Sequence, residues 1–242
     1  MKKMIAFLAL ILLVFSTTGQ TSESAGLSHV KLDVFDLAAV RRGAAVYANY
    51  CSGCHSLSQM RYSRIQKDLD LPEKSMRNEF MLGDVKIHDT LKSALSPVDG
   101  ESMFGVAPPD LSLIARSRGV DWVYTYLKGF YADPSRPLGV NNIVAENIAM
   151  PNVFWGLQGI QEPVRTPVQG DSVVTGLKLV KPGSQSVTAF DQTVRDLVTF
   201  LAYVAEPSQL QRLPLGKYVL FFLLILTVVF YRLKKEYWKE LH

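Results

Sequence analysis

Cys51-Ser52-Gly53-Cys54-His55 holds both cysteines of the 242-residue chain, and its reading decides what the rest must build. The pattern is C-x-x-C-H, the attachment sequence for a c-type haem. Each thiol adds across one vinyl group to form a thioether, and His55 is then held under the iron as its proximal ligand. Two intervening residues on a helical turn let both sulfurs reach one porphyrin edge while the imidazole turns beneath it. A thioredoxin-like redox pair or half of a zinc site uses similar spacing. Zinc calls for a second cysteine pair, which the chain lacks, and a redox pair has no use for a histidine directly after it.

Upstream, Leu37, Val40, Ala44 and Tyr47 recur at three- and four-residue steps, so the spacing predicts a helix leading into the motif, capped by Asp33 or Asp36. Gly43 lies on or beside that stripe. A helical glycine costs about 1 kcal/mol relative to alanine, so a close crossing by another helix is the expected reason for it, with a plain exposed glycine as the alternative. The partner expected is a helix from Ala189 to about Ala205, with Val194, Leu197, Val198, Leu201 and Ala202 as its apolar stripe. Thr188 and Asp191 resemble a capping box there, and Pro207 ends it.

A haem iron on His55 leaves a sixth position to methionine, histidine or nothing. Met60, Met76, Met81, Met103 and Met150 lie beyond the N-terminal leader, with His29, His88 and His242 as the remaining histidines. Met150 is the strongest choice. It follows Ile148 and Ala149, precedes Pro151, and sits in a loop far enough from His55 to wrap over the opposite face. Met103 is its rival, in what reads as a loop between Gly100 and Gly105.

The termini address the chain to a membrane. Lys2 and Lys3 precede the apolar run Met4–Phe15 and the small, polar stretch Ser16–Gly26, the order of an export signal. Cleavage fits after Gly19, Ser24 or Ala25, and an uncleaved anchor is the alternative. Leu213–Leu233 is long and apolar enough to span, with Tyr218 and Tyr231 near its ends. Arg232, Lys234, Lys235 and Lys239 follow, which puts the C-terminus in the cytoplasm by the positive-inside rule. The expected organisation is a signal peptide (1–25), an exported haem domain (26–206), a transmembrane anchor (207–235) and a short cytoplasmic tail (236–242).

Apolar residues are 48% and charged residues 20% of the chain, a composition that excludes disorder, and the length excludes a large multidomain enzyme. The net charge of +4 comes from the termini, because residues 26–212 hold nineteen basic and nineteen acidic side chains. No basic stripe is left for nucleic acid.

The helix Arg41-Arg42-Gly43-Ala44-Ala45-Val46-Tyr47 running into the motif, the string Ala107-Pro108-Pro109-Asp110-Leu111-Ser112 continuing to Arg118, Ile148-Ala149-Met150-Pro151, and Ala205-Glu206-Pro207 before one membrane helix together resemble cytochrome c1. That family provides the haem subunit of the bc1 complex, which oxidises quinol and reduces a soluble or tethered cytochrome c. The resemblance runs in order from Asp36 to the tail. It implies Met150 as sixth ligand, the carbonyl of Pro108 or Pro109 as acceptor for the proximal histidine's ring N–H, and Arg118 near a haem propionate. Trp122 falls at the approximate place of a family aromatic beside a propionate, and a solvated surface position is the plainer reading of both Arg116 and Arg118. The chain is shorter than mitochondrial relatives around Pro97–Met103 and lacks the extra cysteine pair of some bacterial members. Leu157–Ser186 matches poorly and reads as a variable loop or small strands.

The fold implied is mostly α: a class I cytochrome c-like domain with long loops and a single C-terminal transmembrane helix. Implied partners are cytochrome b and the Rieske iron–sulfur protein in a dimeric complex, with a c-type cytochrome as acceptor, the haem domain on the periplasmic side of the bacterial inner membrane. Six-coordinate iron has no open site for substrate, so electron relay is the economical function and the chain itself is a non-catalytic subunit. A haem subunit of a terminal oxidase shares the signal, motif and anchor. A haem sensor or peroxidase would need the sixth position empty. Balanced charge predicts weak long-range steering of the acceptor, with an acidic cluster of Asp68, Asp70 and Glu73 as the alternative.

Overall fold

The computed structural model describes residues 26–81, 83–168 and 171–239, so the export signal, its cleavage sites and His242 lie outside the described residues. Its elements run α1 (Leu37–Tyr50), β1 (Leu57–Arg61), α2 (Tyr62–Asp68), α3 (Glu73–Ser75) continuing into a π-helical turn (Met76–Phe80), β2 (Thr90–Leu91) and α4 (Pro97–Phe104). There follow α5 (Ile114–Ser117), α6 (Val120–Lys128), β3 (Phe130–Ala132), β4 (Val140–Asn142), α7 (Trp155–Gln158), β5 (Gly159–Val168), β6 (Asp171–Pro182), α8 (Val187–Ala205) and α9 (Gln209–Tyr237). Helices dominate, as expected, and the strands pair only locally, β1 with β2, β3 with β4 and β5 with β6, each antiparallel.

The crossing of α1 and α8 forms the centre of the core. Asp36 caps α1, its carboxylate accepting from the N–H groups of Ala38 and Ala39 at 3.1 Å. Val40, Ala44 and Tyr47 then pack on Val194, Leu197, Val198 and Phe200 within one buried cluster. Gly43 is where the helices meet: a Cβ there would lie 1.9 Å from the Asp196 carbonyl oxygen and 2.8 Å from Phe200 Cβ, so only glycine admits the approach. Beside it Arg42 grips the buried Asp196 carboxylate through two hydrogen bonds, of 2.6 and 3.0 Å.

The start of α8 differs from the expected one. The helix begins at Val187, capped by Ser186, whose hydroxyl accepts from the Ala189 N–H at 3.2 Å. Thr188 is therefore inside the first turn and makes no capping box with Asp191. The Asp191 carboxylate is taken instead by Lys128, Tyr124 and Arg195, tying α6 to α8. Burial pushes Asp191 up, but those three hydrogen bonds together outweigh it and hold the group at about 2.

Leu157–Ser186 resolves into α7 and one long hairpin, β5–β6, whose ladder runs from Gly159↔Pro182 towards the tip with two register shifts. Val164, Val173, Leu179 and Val180 are exposed on it. Its base is fastened by Gln161, whose amide donates to the carbonyls of Lys128 and Phe130 at 2.9 Å. Beyond Pro207, α9 extends the expected apolar segment at both ends, is long and apolar enough to cross a membrane, and carries no buried residue.

Candidate haem site

Between the end of α1, the Phe104–Arg118 segment, α6, the loop after β4 and α8 lies a cavity of about 570 Å³. Cys51, Cys54, His55, Pro109, Arg118 and Met150 all line it, and apolar side chains such as Val123, Leu127, Leu197 and Leu201 make up much of the wall.

The motif is built by the way α1 stops. Cys51 is its C-cap, donating to the Tyr47 carbonyl, and its own carbonyl then accepts from Cys54 at 3.1 Å and His55 at 2.8 Å, a tight turn that leaves His55 just beyond the helix end. Tyr47 donates its hydroxyl to the His55 carbonyl at 2.6 Å. Both cysteines are free, Cys51 buried and Cys54 exposed. Burial, with a smaller contribution from Cys54, pushes the Cys51 thiol up to about 12, the reverse of what an activated redox pair requires.

The His55 ring is fixed by a segment more than fifty residues away. Its Nδ1 lies 2.8 Å from the Pro109 carbonyl oxygen. A carbonyl only accepts, so Nδ1 carries the proton and the Nε2 lone pair is left for a metal. Burial lowers the imidazole pKa, against the opposing pull of the Pro109 carbonyl and Asp110, and so favours the neutral ring a metal needs. Pro109 rather than Pro108 supplies the carbonyl; Pro108 packs on Gly100, where a Cβ would come within 2.6 Å of the ring.

Asp110 is the residue whose work the sequence reading missed. Its carboxylate accepts from the N–H groups of Ser58 and Ser112, both at 2.8 Å. The Ser112 hydroxyl in turn accepts from Gln59, and Leu111 N–H donates to the Ser56 carbonyl. These bonds sew the Pro-Pro-Asp segment to the chain directly after His55. Burial raises the Asp110 pKa, yet the bonds to Ser112 and Ser58 outweigh it and keep the group below the usual carboxylate range. The signal available in the sequence was an aspartate two residues before a serine, an Asx-turn pattern.

On the far side Met150 is half-buried in the loop after β4, and the Tyr126 hydroxyl lies 3.5 Å from its Sδ. Tyr126 stacks on Trp122 with ring centroids 4.9 Å apart, and the Arg118 guanidinium lies 5.2 Å above the Trp122 ring. Burial pushes Tyr126 up to about 12. Arg116 points elsewhere, 3.7 Å from Glu206. Met103 belongs to α4 rather than to a loop, is 65% exposed and does not reach the cavity. Met60, Met76 and Met81 are buried in the core, and His29 and His88 lie on the surface. Among the described residues no three His, Cys, Asp or Glu side chains converge as a metal cage. Two thiols on one edge, a neutral imidazole and a thioether, all lining one largely apolar cavity, are a donor set that fits a c-type haem.

Residues 28–241 match the model of the Cytochrome C1 family. The chain is 45% identical over 249 residues to cytochrome c1 of Allochromatium vinosum, with the whole of both chains covered. It is 38% identical to a protein of Nitrosomonas europaea named ammonia monooxygenase gamma subunit, over 99% of this chain and 100% of that one. With the mitochondrial cytochrome c1 haem protein of Schizosaccharomyces pombe it shares 31% identity over 86% of this chain and 68% of the relative. A donor set matched to a c-type haem, a single C-terminal apolar helix and a family match over nearly the whole described chain lead to one assignment: the chain belongs to the cytochrome c1 family, the haem subunits of bc1 complexes.

Proposed function

We propose that this chain carries one haem c, covalently held by Cys51 and Cys54 and ligated by His55 and Met150, and relays single electrons from the Rieske iron–sulfur protein to a c-type cytochrome. The observation that carries the reading is the placement of His55 and Met150 on one cavity while the other described methionines stay outside it. When bound, the haem supplies one-electron chemistry. The protein's residues hold it still: Pro109 and Asp110 orient the imidazole, and the leucine and valine walls exclude water, which disfavours the extra positive charge of the ferric state and raises the potential. Arg118, at the rim beside Trp122, is placed to meet a propionate.

In this reading the exported domain docks with cytochrome b and the Rieske protein in a dimeric complex of the inner membrane. The haem domain is periplasmic, α9 spans, and Arg232, Lys234, Lys235 and Lys239 keep the C-terminus in the cytoplasm. The acidic-patch alternative for acceptor docking loses one member, since the Asp68 carboxylate is buried and accepts from Arg64 and Tyr203. The terminal-oxidase reading is not favoured by the family match, and a sensor or peroxidase is disfavoured by a thioether lining the cavity.

The test has two arms. Haem staining of the denatured chain on a gel should persist in the wild type and vanish when Cys51 and Cys54 are both replaced by alanine. Met150→Leu should keep that staining but abolish the methionine-to-iron charge-transfer band and lower the potential, with Met103→Leu changing neither. Loss of the band in Met103→Leu instead would overturn the ligand assignment.

A further inference from the structure

Tyr126 belongs to no motif in the sequence, and its hydroxyl has one hydrogen-bond partner among the described residues, the Sδ of Met150 at 3.5 Å. The ring cannot swing away. It is stacked on Trp122 at an interplanar angle of 13° and meets Phe130 edge-on at 5.3 Å. The backbone on both sides of the contact is tied as well. The Tyr126 carbonyl accepts from the side chain of Asn142 at 2.7 Å, and the same asparagine accepts from Val144 N–H at 3.0 Å, at the start of the loop that carries Met150. Asn141 accepts from Asn142 and Asn147 further along that loop. Hydroxyl and thioether are therefore set against each other by two independent anchors, a ring stack and an asparagine bridge.

A thioether sulfur has two lone pairs, so one can serve iron while the other accepts a hydrogen bond, and hydrogen bonding to an axial ligand is one of the levers on a haem potential. We propose that Tyr126 is a positioning residue for the sixth ligand: its hydroxyl donates to the Met150 sulfur, aims its remaining lone pair at the iron, and withdraws electron density from it. This rests on the assignment of Met150 as ligand made above. Less donation from sulfur destabilises the ferric state more than the ferrous one, so the bond raises the potential. It also lowers the energy of the sulfur donor orbital, so the charge-transfer band moves to shorter wavelength.

The experiment uses the full chain in its detergent-solubilised complex, comparing wild type, Tyr126→Phe, Met150→Leu and Tyr124→Phe by redox titration and ferric absorption spectroscopy. Tyr126→Phe keeps the ring stack and removes only the donor. It should retain the charge-transfer band, move it to longer wavelength, and shift the ferric/ferrous equilibrium three- to tenfold towards ferric, about 30–60 mV at about 59 mV per tenfold. Tyr124→Phe removes a hydroxyl from the same helix that is bonded to Asp191 instead, and should leave band and potential where they were. An unchanged potential in Tyr126→Phe, a shifted potential with an unmoved band, or equal shifts in both tyrosine variants would each overturn the proposal. A wild-type spectrum without the band, or a band surviving in Met150→Leu, would instead overturn the ligand assignment beneath it, so the two failures are distinguishable.

Discussion

On the histidine side of the cavity, α1 and α8 press together until the Gly43 backbone touches the Asp196 carbonyl, with Val40, Ala44, Leu197 and Phe200 fully buried around the contact. On the methionine side, residues 143–151 form an irregular loop in which none is fully buried, and the side chains of Asn141 and Asn142 hold its backbone. One wall is held by close-packed apolar side chains, the other by a few amide hydrogen bonds at a loop. Packing of the first kind fails only with the whole domain, whereas a segment with few buried apolar contacts can open by itself at lower cost. The histidine side also carries Cys51 and Cys54, so both thiols and His55 sit on the wall held by global stability.

The largest expected effect tests the packed wall. Gly43→Ala forces a methyl into the Asp196 backbone and should destabilise the domain by about 3 kcal/mol, read as a lower guanidinium midpoint and a lower yield of haem-stained chain. A midpoint equal to wild type would show that the crossing can relax.

Next comes the loop wall. Asn142→Leu keeps the volume but strips partners from the Tyr126 carbonyl and the Val144 N–H, a cost of about 2 kcal/mol. The charge-transfer band should then disappear at lower denaturant than far-ultraviolet circular dichroism does. If both signals are lost together, the two walls are one cooperative unit and the contrast fails.

The ionic tie between α6 and α8 sharpens the comparison through pH. Asp191 is held at about 2, below its ordinary 3.8, so its contribution to stability is fully present above about pH 4 and is lost as pH falls towards 2. After allowance for solvent screening of this partly exposed group, the contribution is about 1 kcal/mol. Asp191→Asn should lower the denaturation midpoint at pH 6 and flatten its fall across that acid window. An undiminished acid slope in the variant would place the titration elsewhere.

The smallest effect belongs to the β5–β6 hairpin, whose stability is local. Val164→Thr on its exposed face should change stability by less than about 0.5 kcal/mol and leave the haem spectrum unaltered. A larger loss would show that the hairpin's stability is coupled to the rest of the domain.

Much of the fold was legible because its signals are local or periodic. The stripe on α1, the stripe on α8, the helix stop at Pro207 and the apolar run of α9 each follow from residue spacing alone. Gly43 announced a close crossing because a helical glycine has a cost that something must offset. The start of α8 is ambiguous in sequence because Ser186 and Thr188 both offer a capping hydroxyl two residues apart. Asp191, the other half of the expected box, is drawn off by Lys128, Tyr124 and Arg195, two of which lie on another helix. The hairpin is ambiguous in sequence between loop and strands because its valines and leucines alternate with glycines and charges and bury little.

By itself the sequence determined the chemistry: two thiols and an imidazole spaced for one haem edge, and an apolar segment with a basic end, since both are properties of short contiguous stretches. Tertiary structure decided which of several equivalent groups takes part. Pro109 rather than its neighbour meets His55 across 54 positions, Met103 is carried away on α4, and Asp110 and Tyr126 acquire their partners only when distant segments close on each other. The physical reason is that a carbonyl, a thioether or a hydroxyl has the same chemistry wherever it occurs. The distance that selects one of them is set by how helices and loops pack, and no local pattern records that.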